Sequence, residues 1–319
     1  MRVLTNVEGF KVGHFTNLDG LTGCTVILCP PKTKASCEVR GSSPGSRELA
    51  LLAPDKKMEE VHAILLSGGS AFGLAAADGV MKWLEEHDMG YQTPWVKVPL
   101  VPTAVVFDLN VGKSDVRPDA AAGFEACKHA TGAGVEEGNV GAGTGATVGK
   151  WRGLEYCMKG GLGSGSASVE DLVVGSIAVV NAVGDILDAS GRIVAGARTE
   201  RGAFFGNTEN YKSFARGKVL EKTNTTLAVV ATNADFNKTE LFRIAQRMHD
   251  GFARAINPVH TSYDGDVSFA LSRGSVRADL DFVAEIAASI TAEAIRRAVL
   301  AARSIEGIPG LGSALQAAS

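Results

Sequence analysis

The chain is short of several things at once, and each shortage excludes a class of protein. No stretch of its 319 residues reaches the roughly 18 uncharged apolar positions of a membrane span. The opening "MRVLTNVEGFKVGHF" has no basic segment leading into an apolar one, so no cleaved export signal is read there. A soluble cytoplasmic protein without a membrane partner is expected. Charge of one sign is also missing: 32 basic against 35 acidic residues leave a net −3, too little to draw in nucleic acid. The five cysteines (Cys24, Cys29, Cys37, Cys127 and Cys157) are odd in number and form no C-x-x-C pair, which reads as reduced thiols in a reducing compartment. The six histidines make no H-x-x-x-H or comparable spacing, so neither a metal nor another cofactor is expected. His249 beside Asp250 reads as a helix-surface residue and His260 as a loop residue, although either type can also serve in catalysis.

What is plentiful is glycine, 38 residues of it, beside 45% apolar and only 6% aromatic residues. Such a chain relies on close backbone approach. Its length allows one large α/β domain or two smaller ones. Residues 61–67, "VHAILLS", read as a buried strand followed by a glycine turn and a helix. "DLVVGSIAVVN", ending at Asn181, and "TTLAVVAT" are near-continuous apolar runs, the mark of strands covered on both faces. Asn237, with Glu240 three residues on, caps a helix whose apolar face is Leu241, Ile244, Ala245, Met248 and Phe252. "VSFAL" is a further strand, and "LDFVAEIAASITAEAIRRAVLAA" is a long amphipathic helix. Strands of this kind interleaved with helices predict helices outside stacked sheets. Residues 198–224 are polar and without period, and read as exposed and flexible.

The glycine run "GNVGAGTGATVGK" fails as a phosphate loop: Thr144 stands where glycine is required, and Trp151 follows Lys150. A dinucleotide fingerprint can be forced through Gly141, Gly143 and Ala146, but no clear strand precedes it. The backbone N–H groups of Gly141, Gly143 and Thr144 remain candidates to hold an oxyanion. Ser70, in "SGGSAFG", lacks the second glycine of a nucleophile elbow and reads as a turn residue.

There is therefore no triad, and one segment suggests why none is needed. In "EKTNTTLAVVATNADF", Thr225 and Thr226 open a strand, as β-branched residues do. If the chain were cut between Asn224 and Thr225, Thr225 would carry a hydroxyl and a free α-amine together. Such an amine titrates at about 7.7–8.0, which suits a general base near neutrality. The chemistry would further require a cation, carboxylates and an amide donor.

Five blocks, "GNVGAGTGATVGK", "KGGLGS", "SIAVVNAVGDI", "NTTLAVVATNADF" and "HDGFARAINPVHTSYDGD", resemble in order and context the self-processing amidases. That family contains the L-aminopeptidase/D-esterases, the β-peptidyl aminopeptidases and the nylon-oligomer endo-hydrolases. The resemblance implies a four-layer αββα sandwich, one domain cut into fragments 1–224 and 225–319. It implies Thr225 as nucleophile, Asn181 as oxyanion amide, Lys150 as cation and the pair Asp264 and Asp266 as carboxylates, with Lys159 the weaker choice of cation. Alone, Asp264-Gly265-Asp266 is a turn; at a strand entrance its two carboxylates share a face. The threonine and the aspartate pair follow the nylon-hydrolase branch rather than the aminopeptidase branch, which carries serine and glutamate. The activity expected is amide hydrolysis on peptides or peptide-like oligomers such as 6-aminohexanoate oligomers, by an assembly of processed pairs. An aminopeptidase for small L-amino or β-amino residues, an acyltransferase of similar architecture and a non-enzymatic nucleotide or small-molecule binder are the alternatives.

Overall fold

In the computed structural model, which describes residues 2–208 and 224–312, two five-stranded sheets are packed face to face with helices outside both. The strands are β1 (Lys11–Asn17), β2 (Thr22–Leu28), β3 (Lys34–Val39), β4 (Ser46–Arg47), β5 (Ala63–Ser67) and β6 (Thr103–Val105). They continue with β7 (Gly161–Val169), β8 (Leu172–Asn181), β9 (Thr225–Ala234) and β10 (Val267–Val276). One sheet runs β1-β2-β5-β6-β4, the other β7-β8-β9-β10-β3. Each has a single parallel pair among antiparallel neighbours: β5 with β6, and β9 with β10.

Alternation along each strand divides its residues between two cores. On β9, Leu227, Val229 and Ala231 face the space between the sheets, where they meet Ile177 and Val179 of β8 and Ile27, Ile64 and Leu66 of the opposite sheet. Ala228, Val230 and Ala234 face the other way, onto α3 (Lys238–Ala255) and α4 (Leu280–Ala301). On the far side, Cys24, Val26, Ala63 and Leu65 meet α1 (Ala76–Glu86) and α2 (Ala120–Lys128). The expected αββα order of layers is present. The capping box expected at Asn237 is there as well, with Asn237 Oδ1 accepting from Glu240 N–H and the Glu240 carboxylate accepting in return.

The strands of the first 40 residues escaped the periodic reading, as did β7. In β7 the reason is packing: a Cβ on Gly163 would lie 2.2 Å from the Ala294 carbonyl oxygen of α4. The glycines of "GLGSGSASV" let that helix lie directly on the strand. The glycine run forms a buried 3-10 turn, Gly141–Gly143, then the short strand Thr147–Val148, and only a three-residue 3-10 turn, Lys150–Arg152, follows where a phosphate loop requires an α-helix. Of the polar stretch 198–224, residues 198–208 are half-buried or exposed, as expected, and residues 209–223 lie outside the described residues. Asn224 departs from the expectation: it is buried. His249, expected on a helix surface, is buried too, because α3 turns that face to β10 and β3. All five cysteines are buried and free, and among the described residues no helix is long and apolar enough to cross a membrane.

Gly163→Ala should lower the free energy of unfolding by about 1–3 kcal/mol, through overpacking of β7 against α4. Gly134→Ala, where an added Cβ meets nothing within 4 Å, is the control and should change it by less than about 0.5 kcal/mol. Urea unfolding midpoints of the two variants check both values.

Candidate active site

Antiparallel pairing of β8 with β9 ends on Asn181 opposite Thr225. Both fall on the alternation that points between the sheets, so the last residue pair of the ladder places an amide beside a hydroxyl at the mouth of the inter-sheet space. The backbone just before Thr225 is held as firmly. Asn224 bridges Asp264 in parallel fashion, and the Asn224 carbonyl oxygen accepts the Gly265 N–H at 2.9 Å. Thr225 Oγ1 donates to that same oxygen at 2.5 Å. Gly265 lies so close that a Cβ on it would come within 2.8 Å of Thr225 Oγ1.

The two aspartates flank this peptide unit from successive positions of one loop. Asp266 Oδ1 accepts the Thr226 N–H at 2.6 Å. Asp264 Oδ1 accepts the Val183 N–H at 3.2 Å, while its Oδ2 takes the N–H of Thr261 at 3.0 Å together with that residue's hydroxyl. Neither carboxylate is bonded to Thr225 itself: that of Asp266 holds the following backbone N–H, whereas that of Asp264 holds Val183 and Thr261, and only the Asp264 backbone bridges Asn224. Burial pushes the Asp264 carboxyl up to about 6, and the charge of Asp266 adds to the shift.

Lys150, 3% exposed, donates from Nζ to Asn181 Oδ1 at 2.7 Å and to the Asn181 carbonyl oxygen at 3.0 Å. Asn181 Oδ1 also accepts the Thr147 N–H at 3.0 Å, and Asn181 Nδ2 donates to the Phe107 carbonyl at 2.9 Å. Two donors at one atom identify it as the oxygen and so orient the amide. Burial brings the Lys150 ammonium down to about 7; Cys157 and Asp264 oppose that fall, and Lys159 adds to it. Lys159 is also buried and also brought down to about 7, but its Nζ is spent on the Thr144 and Ala146 carbonyls. Of the two lysines, Lys150 is therefore the one in contact with Asn181, the residue paired with Thr225.

The structure thus brings Asn224, Thr225, Asn181, Lys150, Asp264 and Asp266 into one neighbourhood. The oxyanion candidates of the glycine run do not join them as donors. Gly141 N–H goes to Thr16 Oγ1, Gly143 N–H to the Val140 carbonyl and Thr144 N–H to the Gly141 carbonyl, because the 3-10 turn closes on itself. The sequence reading missed Gly265 and left His260 open between a loop residue and a catalytic one. Gly265 acts through its backbone N–H, which no side-chain pattern reveals. His260, six residues before Asp266, has its Nδ1 2.7 Å from Asp266 Oδ2. Its only signal in the sequence is proximity to the Asp264-Gly265-Asp266 turn.

The buried lysines make stability depend on pH. Each has a folded value near 7 against an ordinary 10.5, so between those values the unfolded chain binds more protons and stability rises with pH. From about pH 7 to about 8.5, below the point at which unfolded cysteines ionise, unfolding free energy should climb by up to ~1.4 kcal/mol per unit for each lysine. Chemical denaturation at a series of pH values should give that slope, and Lys159→Met should cut it to about half.

Comparison with known proteins shows the family and the fold of the chain. An uncharacterised aminopeptidase of Mycobacterium leprae (strain TN) is 40% identical over 97% of the chain and 93% of its own length. The 6-aminohexanoate-oligomer endohydrolase of Agromyces sp. (strain KY5R) is 31% identical over 92% of the chain and 84% of its own length. Among solved structures, a Burkholderia sp. β-aminopeptidase superposes with a TM-score of 0.73 at 21% identity, over 98% of this chain and 91% of that one. The L-aminopeptidase D-Ala-esterase/amidase of Ochrobactrum anthropi, described as a variant of the Ntn hydrolase fold, superposes with a TM-score of 0.73 at 20% identity, over 97% and 88%. Family and fold agree with the resemblance carried by the five sequence blocks. The profile of peptidase family S58 matches residues 2–312, and the chain belongs to that family of amide-bond hydrolases.

Proposed function

We propose that the chain is a self-processing amide hydrolase whose nucleophile is Thr225, released by cleavage of its own Asn224–Thr225 bond. The observation that carries this reading is the environment of that one peptide unit. It is buried at the inter-sheet mouth, its carbonyl oxygen rests on the Gly265 N–H, and Thr225 Oγ1 lies against it. Attack by Oγ1 on the Asn224 carbonyl carbon breaks the C–N bond; the amine keeps its proton and gains the hydroxyl's, leaving an ester. Gly265 N–H stabilises the oxyanion of that step. Water then cleaves the ester to an Asn224 carboxylate and a free α-amine on Thr225.

In turnover the α-amine takes the hydroxyl proton while Oγ1 attacks an external amide, and Asn181 presents its amide to the new oxyanion. Lys150 fixes the Asn181 orientation through its two hydrogen bonds, and in its protonated form it favours the neutral, basic form of the nearby amine. Asp264 and Asp266 hold the backbone on either side of Thr225. The substrate class we favour is the internal amide bond of peptide-like oligomers, supported by the named activity of the 31%-identical relative and by the aspartate pair that the sequence resemblance assigns to that branch. An aminopeptidase for small N-terminal residues is the second reading, supported by the naming of the 40%-identical relative.

Denaturing electrophoresis and mass spectrometry of the purified protein should give fragments 1–224 and 225–319, the second of 319 − 224 = 95 residues and beginning Thr-Thr-Leu. Thr225→Ala should leave one uncut chain without hydrolase activity; an uncut wild-type chain that still hydrolyses amides sinks the proposal. Release of amine from 6-aminohexanoate oligomers, set against release of p-nitroaniline from aminoacyl anilides, decides between the two substrate readings.

A further inference from the structure

His260 is used by no step above, yet it is built into the site. Its Nδ1 lies 2.7 Å from Asp266 Oδ2, and a carboxylate facing a ring nitrogen at that distance accepts the N–H. The other oxygen of the same carboxylate accepts the Thr226 N–H. Asp266 therefore spans the gap between His260 and the residue after the nucleophile, with both oxygens occupied. His260 takes a left-handed backbone angle, φ 52°, which non-glycine residues seldom adopt, and its ring is wedged at 4.7 Å against His249 and at 5.6 Å against Phe252. The second ring nitrogen, Nε2, is buried and has no hydrogen-bond partner among the described residues.

The neighbour behind it is fixed in one form. Ser268 Oγ donates its proton to the Ala245 carbonyl at 2.8 Å, so it can only accept from His249 Nε2 at 3.1 Å. His249 is thus neutral with its proton on Nε2, and burial, followed by the charges of His260 and Arg40, brings it down to about 3. The ionisable groups facing the pair from each packed element are Asp264 on its own loop, His249 on α3, and Glu38 with Arg40 at the end of β3, while Lys150 faces Asp264. Two carboxylates this close are not both ionised with equal ease. Asp264 is pushed up to about 6 by burial and by the Asp266 charge, while Asp266 has the His260 ring nitrogen at 2.7 Å.

We propose that His260 is a positioning residue for self-cleavage: its Nδ1–H holds the Asp266 carboxylate turned toward the Thr226 N–H, beside the bond to be cut. This rests on the self-processing reading above. Loss of that N–H should raise the acid limb of self-cleavage by about one to two pH units.

The test is the rate of fragment formation by the full chain translated in vitro, followed from about pH 5 to 9, for wild type and for His260→Leu, His260→Asn and His260→Gln. Asparagine places an amide donor where Nδ1 stands; glutamine places it one bond further out, at the position of Nε2. The expected result is an acid limb raised by about one unit or more in the Leu and Gln variants, slowing cleavage roughly tenfold at its original midpoint, with the Asn variant within about threefold of wild type. Identical profiles for wild type and His260→Leu overturn the proposal, as does equal behaviour of the Asn and Gln variants, which would make the ring's packing rather than its N–H the cause. Melting curves of the same variants in the uncut Thr225→Ala chain separate loss of fold from loss of rate; should Leu not fold, the Asn and Gln comparison still decides. A wild-type chain that never cleaves overturns the self-processing reading itself, an outcome distinct from a cleaving wild type whose profile ignores position 260.

Discussion

The antiparallel register that sets Asn181 opposite Thr225 is the constraint on which the rest of the site depends. Because side chains alternate along a strand, a slip of one residue would turn Thr225 toward the α3–α4 layer and Asn181 away from it. Hydrophobicity alone does not protect this register, since β9 is apolar on both faces: Leu227 and Val229 on one, Ala228 and Val230 on the other. Polar groups at the end of the ladder do. Thr226 N–H has Asp266, the Asn224 carbonyl has Gly265 N–H, and Asn181 Oδ1 has Lys150 and Thr147. Any slip strands several of these in a buried setting, at about 1–3 kcal/mol each.

Burial of so much charge gives the site its proton chemistry. Lys150, Lys159, Asp264 and Asp266 are each 3% exposed or less. In such surroundings the charged form of a group survives only where hydrogen bonds or opposite charge support it. The lysines fall and Asp264 rises until all three titrate near neutrality. Groups tuned in this way can exchange protons with a reacting hydroxyl or amine at little cost. The same burial confines the Asn224–Thr225 peptide unit to one geometry, and Gly265 is part of that confinement: only glycine lets the loop between the aspartates approach Thr225 Oγ1 so closely.

Much of the fold was legible in local pattern. β8 and β9 announced themselves as apolar runs, α3 by its Asn237–Glu240 box and α4 by its apolar stripe. β7 did not, because its glycines answer to a helix more than 100 residues further along the chain, through the contact of Gly163 with Ala294. Asn224 and His249 were misplaced for a related reason. A polar residue in a polar segment reads as exposed until a distant strand covers it, as the 261–266 loop covers Asn224 and β10 and β3 cover His249.

By itself the sequence determined the residue chemistry of the site and the periodicities of the elements that carry it: a threonine at a strand entrance, an asparagine at a strand end, a lysine after a glycine run and a pair of aspartates two apart. Partnership was decided only by the tertiary structure. It chose Lys150 over Lys159 for Asn181, Gly265 over the Gly141–Thr144 amides for the Asn224 carbonyl, and His260 for Asp266. The physical reason is that a hydrogen bond requires two groups within about 3 Å and in line. Composition and spacing say which groups can donate or accept. Sheet register and loop closure across tens of residues decide which of them meet.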